Sequence, residues 1–212
     1  MKDSIPSATV ARLPRYLRCL SDMASTSTQC SSDQLAAVAG ASAAQVRKDL
    51  SFLGSRGTRG VGYDIDQLMH QIRDVLGMNR THPVVIVGAG NLGTALSNYR
   101  GFENWGFEIV GVLDVDEEKI GTRVSGIVVE SVDRLEAIVA DLGVEIGIIA
   151  TPPGAAQAAA NRLVSSGVRS ILNLAPVILK TEEGVSVRRV DLSTELGILA
   201  FHLSSAQLRG TN

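Results

Sequence analysis

The ten residues Val84-Val-Ile-Val-Gly-Ala-Gly-Asn-Leu-Gly93 constrain this chain more than any other stretch. They set Gly-x-Gly-x-x-Gly directly after a β-branched run and directly before a helical pattern, which is the phosphate-binding turn of a dinucleotide fold. Gly88 turns the chain sharply out of the strand. Gly90 lets a pyrophosphate approach the backbone with no Cβ in the way, and Gly93 lets the helix pack closely on the strand. The turn as a whole (Gly88, Ala89, Gly90, Asn91, Leu92 and Gly93) offers N–H groups, and the helix dipole from about Asn91 favours an anion there.

The pattern that follows alternates strand and helix. Strands are expected at 84–87, 107–113, 127–129, 146–150, 170–174 and 185–190, with helices at 91–104, 132–142, 155–166 and 192–208. The first strand is apolar throughout, as a parallel strand buried on both faces must be. The expected class is therefore α/β, a doubly wound parallel sheet of the Rossmann type. Asp114 ends the second strand 21 residues beyond Gly93, the spacing of an acid that binds the adenosine ribose. Val115-Asp116-Glu117-Glu118 follows with no Arg directly after it, so a 2′-phosphate would meet four carboxylates. NAD(H) is expected over NADP(H).

Hydride transfer needs a positioned acid or base. Of the three histidines, His70 lies in the helix before the spacer, His82 just before the first strand and His202 in the last helix. The ends of the fourth and fifth strands, where a nicotinamide belongs, carry Thr151-Pro-Pro-Gly154 and Asn173-Leu-Ala-Pro176. Thr151, Asn173 and Pro176 can line such a pocket without moving a proton. The site is expected to bind its cofactor without turning it over, and no catalytic or metal-ligating residue is assigned.

About eighty residues precede the glycine turn and have a different character. A helix is expected over 8–23, with Val10, Leu13, Leu17 and Leu20 inward and Pro14 marking its start or a kink. Ser31 or Ser32 caps a short second helix, Gly40 ends it, and Ser42 caps a third running to about Leu53. Helix, tight turn, helix is a helix-turn-helix. On the third helix Gln45 and Arg47 suit base edges and Lys48 suits phosphate, with Ser42 at its start. Gly54–Gly62 reads as a wing that holds Arg56 and Arg59 between glycines, a presentation suited to a minor groove or phosphate. A fourth helix spans 65–76, and the polar spacer 77–83 is the domain boundary. Residues 1–80 carry a net charge of +3 and residues 81–212 carry −5, which points to a polyanion partner for the first part.

No apolar run reaches membrane-span length, and no charged-then-apolar leader opens the chain. Cys19 and Cys30 lack CxxC spacing and read as two reduced thiols of a cytoplasmic protein, with a regulatory disulfide as the alternative.

Taken together, Arg12-Leu-Pro-Arg-Tyr16, Gln45-Val-Arg-Lys-Asp-Leu-Ser-Phe52, Gly57-Thr-Arg-Gly-Val-Gly-Tyr63, the glycine turn, Tyr99-Arg-Gly-Phe102, Asn173-Leu-Ala-Pro176 and Val190-Asp-Leu192 closely resemble the Rex family of redox-sensing transcriptional repressors. The resemblance spans nearly the whole chain. It implies a homodimer with winged-helix domains (1–77), Rossmann NAD(H)-binding domains (78–190) and a C-terminal helix (191–212) exchanged between subunits, on which Leu192, Leu196, Leu199 and Leu203 form an apolar stripe. It implies double-stranded operator DNA as partner, NADH and NAD+ as opposed signals, and switch contacts at Arg18, Tyr99 and Asp191. Tyr99 and Asp191 would also meet the cofactor. The family often has Phe after that Asp, whereas this chain has Leu192. Two other classes fit the glycine turn alone: an NAD-dependent oxidoreductase with an accessory N-terminal domain, and the CoA- or nucleotide-binding module of a ligase.

Overall fold

The computed structural model of the chain describes residues 5–58 and 60–209, with side chains through 204. The chain divides into two units between Arg80 and Thr81, inside the polar spacer.

The first unit holds four helices, α1 (Ser7–Met23), α2 (Ser32–Ala39), α3 (Ala43–Ser51) and α4 (Ile65–Leu76), with a short antiparallel pair, β1 (Gln29–Cys30) and β2 (Tyr63–Asp64). Each boundary has a local cause. Ser31 and Gln34 form a reciprocal capping box at the start of α2, and Gly40 ends it in the left-handed conformation. The Ser42 hydroxyl accepts the Gln45 N–H to cap α3. Gly77 ends α4 as Gly40 ends α2. Leu13, Leu17, Leu20, Leu35, Leu50 and Ile72 form the core.

One expectation for α1 is narrowed and another is corrected. The helix begins at Ser7 and runs through Pro14, so the proline does not start it, which leaves the other alternative, a kink. Val10 is exposed, and Thr9 and Tyr16 take inward positions instead. The reason lies across the core. Asp49 of α3 is fully buried and accepts hydrogen bonds from Thr9 (2.9 Å), Arg12 (2.7 Å twice), Tyr16 (2.8 Å) and Gln45 (2.9 Å). A buried charge persists only when it is paired in this way. Polar residues of α1 therefore face the core because their acceptor is there.

The second unit is a seven-stranded sheet. Its strands are β3 (His82–Val87), β4 (Phe107–Asp114), β5 (Arg123–Val124), β6 (Ile127–Ser131), β7 (Ile146–Ile149), β8 (Ser170–Asn173) and β9 (Ser186–Arg189). The order is β5-β6-β4-β3-β7-β8-β9, parallel except for the β5–β6 hairpin. Without β5 this is the 3-2-1-4-5-6 order of the dinucleotide fold. The hairpin strand β5 was not expected from its sequence. Its turn uses Ser125 and Gly126, both at positive φ, as a two-residue hairpin requires. The helix expected over 91–104 is shorter: α5 (Asn91–Ser97) ends, Tyr99 is extended, and a 3-10 turn spans Arg100–Trp105. The Tyr99 ring lies over Gly101, where any Cβ would overlap it.

Helices α6 (Leu135–Leu142) and α7 (Pro153–Ser165) cover one face of the sheet, burying Val85, Val87 and Leu113. The other face carries Val84, Ile86, Val112 and Ile148, with Leu96 and Phe102 packed on part of it. The rest is an apolar groove of about 310 Å³ running across Phe107, Ile109, Ile146 and Leu172 to Arg188. Helix α8 spans Leu192–Arg209, and its described side chains, Leu192 to Ser204, are all exposed.

The Asp49 hub carries a pH dependence. Burial alone would raise its carboxyl, but the donors, Arg12 foremost, outweigh burial and hold it at about 2. A depressed folded-state value stabilises the unit above the ordinary carboxyl range, and that stability is lost as pH falls from about 4 toward 2. Asp49→Asn is expected to destabilise the unit by about 3 kcal/mol at neutral pH and to flatten this acid slope. Amide hydrogen exchange of α1 and α3 at several pH values reads both effects. Unchanged protection in the variant removes Asp49 as the link between the two helices.

Candidate functional site

The sheet order reverses between β3 and β7, and a cleft of about 440 Å³ opens there. A crevice outside the carboxyl ends of the strands at such a switch point is where doubly wound folds bind ligands. The three glycines have separate roles in it. Gly88 sits at φ +109°, and a Cβ there would come 2.6 Å from the Ala150 carbonyl oxygen. A Cβ on Gly93 would overlap the carbonyl oxygen of Gly88, so α5 can lie on the turn only with glycine there. A Cβ on Gly90 meets nothing, and Gly90 lines the open cleft. Asn91 and Leu92 are exposed at the start of α5, and Ala89 is buried.

Asp114 ties the turn to the second strand. Its Oδ2 accepts the Ala89 N–H at 2.7 Å, and its Oδ1 accepts the N–H groups of Val115 (2.8 Å) and Asp116 (3.0 Å). Lys119 adds an ammonium 3.2 Å from Oδ2 and 3.3 Å from Asp116. Burial would raise the Asp114 carboxyl, but the Ala89 and Asp116 amides and Lys119 together hold it below its ordinary value. Asp114 is therefore an anion at one end of the cleft.

Sequence reasoning missed most of that end. Val115 and Val132 line it with Ala155, Ala158, Ala159 and Arg162 of α7, and Arg162 is held by Asp133 at 2.7 Å. The i, i+3, i+4, i+7 spacing of those four α7 residues was a readable signal that they share one helix face. Small side chains on that face leave a flat apolar slot, which suits a planar base. Lys119 corrects the picture of a purely acidic neighbourhood, because it brings a cation to Asp114 from five positions along the chain.

The residues expected around a nicotinamide separate. Thr151 lines the cleft, and its hydroxyl is buried without a hydrogen-bond partner among the described residues. Asn173 and Pro176 do not line it. Asn173 is buried and spends its amide on its own loop, donating to the Val177 carbonyl (2.8 Å) and accepting from the Ala175 N–H (3.0 Å), while Pro176 is exposed. Tyr99 lies outside this cleft, half exposed and edge-on to Phe102. Asp191 accepts the Ser193 N–H at the start of α8. In the first unit Arg18 is exposed, 3.9 Å from Asp22. An orphaned hydroxyl, an open glycine cradle, an acid at the ribose position and an apolar slot together fit an adenine dinucleotide.

The helix-turn-helix face differs from its expectation in one respect. Lys48 and Ser42 are exposed, and Arg47 is exposed while donating to the Ser32 hydroxyl at 2.9 Å. Gln45 does not project freely, because its amide nitrogen is turned inward to Asp49. Exposed Arg56 begins the wing, which Thr58 and Gly62 close by exchanging backbone hydrogen bonds at 2.8 Å. Arg59 lies outside the described residues. Among the described residues there is no helix long and apolar enough to cross a membrane and no cluster of metal-ligating side chains.

A winged helix-turn-helix and a dinucleotide cleft on one chain define a class of two-domain, nucleotide-linked DNA-binding proteins. Comparison with known proteins agrees. Residues 4–51 match the family model of a putative DNA-binding protein N-terminus, and residues 79–177 match that of the CoA binding domain. The chain is 55% identical to the redox-sensing transcriptional repressor Rex of Streptomyces griseus, covering 93% of this chain and 79% of that one. It is 48% identical to the Rex of Carboxydothermus hydrogenoformans, covering 94% and 96%. The solved Rex-family repressor RSP superimposes with a TM-score of 0.88 at 34% identity, covering 96% of each chain. RSP has been solved with β-NAD+ and operator DNA, and with β-NADH. This chain belongs to the Rex family of redox-sensing transcriptional repressors, and its relatives are named as repressors, not enzymes.

The two packing glycines and the open one should behave differently. Gly93→Ala forces a clash with backbone and is expected to cost about 3 kcal/mol or more, lowering the melting temperature by roughly ten degrees. Gly90→Ala is expected to melt like the wild type. Equal melting of the two variants contradicts this division of labour.

Proposed function

We propose that this chain is a redox-sensing repressor that holds operator DNA through its first unit and releases it when NADH fills the cleft of the second. NAD+ supports the DNA-bound form. Residues 1–77 serve as the DNA-binding domain, 78–190 as the NAD(H) domain and 191–212 as the dimerising helix. The observation that carries the reading is the pairing of a winged helix-turn-helix with a cleft whose titratable lining residues all lie at the Asp114 end. RSP crystals with NADH and with NAD+ plus operator DNA support it. A repressor of this kind works in the cytoplasm, where its operators are.

In this reading the turn Gly88–Gly93 holds the pyrophosphate, Asp114 the adenosine ribose, and the α7 alanines the adenine. Thr151 offers its unpaired hydroxyl beyond the turn. Asn173 and Pro176 act indirectly, by shaping the loop after β8. Lys48, Arg47, Ser42 and Gln45 face DNA from α3, with Arg56 and Arg59 on the wing. Gln45 must exchange its Asp49 bond, or use its free carbonyl oxygen, to reach a base. What the dinucleotide supplies when bound is a nicotinamide ring that is cationic when oxidised and neutral when reduced. Tyr99, Asp191 and Arg18 serve as the switch contacts that respond to that difference.

The homodimer has support in the second unit. Leu196, Ile198, Leu199, Phe201 and Leu203 of α8 are all exposed, and they extend around the helix beyond the stripe expected from sequence. A helix apolar on several sides belongs inside an assembly. The uncovered sheet face, grooved from Phe107 to Leu172, is a matching apolar surface. Exchange of α8 between two copies covers both. Each buried Leu is worth about 1.5–3 kcal/mol and occurs twice in a symmetric dimer. Leu199→Glu is therefore expected to weaken dimerisation by about 100-fold or more, measured by sedimentation. A variant that stays dimeric at all concentrations contradicts the exchange.

Operator and NADH must oppose each other reciprocally. Operator should weaken NADH binding by the same factor that NADH weakens operator binding, roughly 5–150-fold for a typical coupling. Arg47→Ala should weaken operator binding by about 1–3 kcal/mol and leave NADH affinity without DNA unchanged. Equal NADH affinities with and without operator end the redox-sensor reading. Turnover of NADH with a small carbonyl compound would favour an oxidoreductase instead.

A further inference from the structure

Asp114 is saturated. A carboxylate offers about four acceptor positions, two on each oxygen. In this chain Oδ1 takes the Val115 and Asp116 amides, and Oδ2 takes the Ala89 amide and the Lys119 ammonium. Three of the four donors are backbone, fixed by the glycine turn and by the loop after β4. Only the fourth sits on a flexible side chain, which is more than a third exposed. Lys119 also has a second anion to hold it, since Asp116 lies 3.3 Å from the same nitrogen. All three side chains line the cleft.

We infer that Lys119 occupies the ribose position of the cleft and is displaced from Asp114 by the ribose diol of an incoming adenine dinucleotide. A hydroxyl that bonds Asp114 must replace a donor, and the ammonium is the one donor free to leave. Asp116 keeps the released ammonium beside the ribose. Lys119 is thus a positioning and specificity residue that lowers affinity for any ligand needing Asp114. Its ion pair also makes that penalty depend on salt. The inference rests on assignment of this cleft to NAD(H).

The test uses the full-length protein, with NADH as the probe, titrated calorimetrically at low and high ionic strength. Lys119→Met removes the competing donor and retains the stem. It is expected to bind NADH about two- to fivefold more tightly than the wild type at low salt, the worth of a partly exposed ion pair. That gain should shrink at high salt, where the wild-type pair is screened. Lys119→Arg restores a cation and should bring the affinity back toward the wild-type value. Equal or weaker NADH binding by Lys119→Met overturns the inference, because it means the ammonium is neutral toward the ribose or bonds it directly. Asp114→Ala, titrated in parallel, separates the two levels. If it binds NADH as the wild type does, the assignment of the cleft falls and the inference falls with it. If it weakens NADH while Lys119→Met fails to tighten it, the inference alone is overturned.

Discussion

The bond between the Asp114 carboxylate and the Ala89 amide joins the end of β4 to the glycine turn that leaves β3. It fixes the acid against the turn, so in the proposed NAD(H) site the ribose and pyrophosphate positions are set relative to each other before any ligand arrives. The turn is held from its other side by close backbone approach. Gly88 abuts the Ala150 carbonyl of the neighbouring strand end, and Gly93 lets α5 rest on Gly88. Preorganisation of this kind lowers the ordering cost of binding. The turn is held by backbone contacts, while Lys119 reaches Asp114 from a partly exposed side chain.

The first unit uses the same physics in a different place. Asp49 gathers donors from α1 and α3 and so sets how α3 is carried. In both units one buried carboxylate organises the functional element. In both, donors outweigh the cost of burial and hold the group ionised. The two differ in what they leave available. Asp49 takes up the side-chain amide of Gln45, whereas the one side-chain donor on Asp114 is Lys119, more than a third exposed.

The sheet carries the third constraint. A parallel sheet needs cover on both faces, and here α6 and α7 supply one face while the other is only partly covered. The chain also has an apolar helix, α8, whose described side chains from Leu192 to Ser204 are exposed. In the proposed function, an open apolar face and an apolar helix on one chain cover each other through a second copy. Association and ligand binding then share one domain, which is what coupling between a cofactor and a dimer arrangement requires.

Much of this was legible in the sequence because the signals are local. The glycine spacing, the β-branched run before it, Asp114 at its expected distance, the caps at Ser31 and Ser42 and the glycine stops at Gly40 and Gly77 each depend on a few neighbouring residues. Strand existence followed from apolar runs, and the helix-turn-helix from capping and turn chemistry. What escaped was set by distant partners. Thr9 and Tyr16 face inward because Asp49 lies across the core, Gln45 turns inward for the same reason, and Asn173 is consumed by its own loop. Lys119 reaches Asp114 only because the loop after β4 folds back. Spacing along the chain determined the kind of fold and the location of its cleft. Which polar groups remain free to act was decided by tertiary structure, because a buried acceptor recruits whatever donors the fold brings within hydrogen-bonding distance.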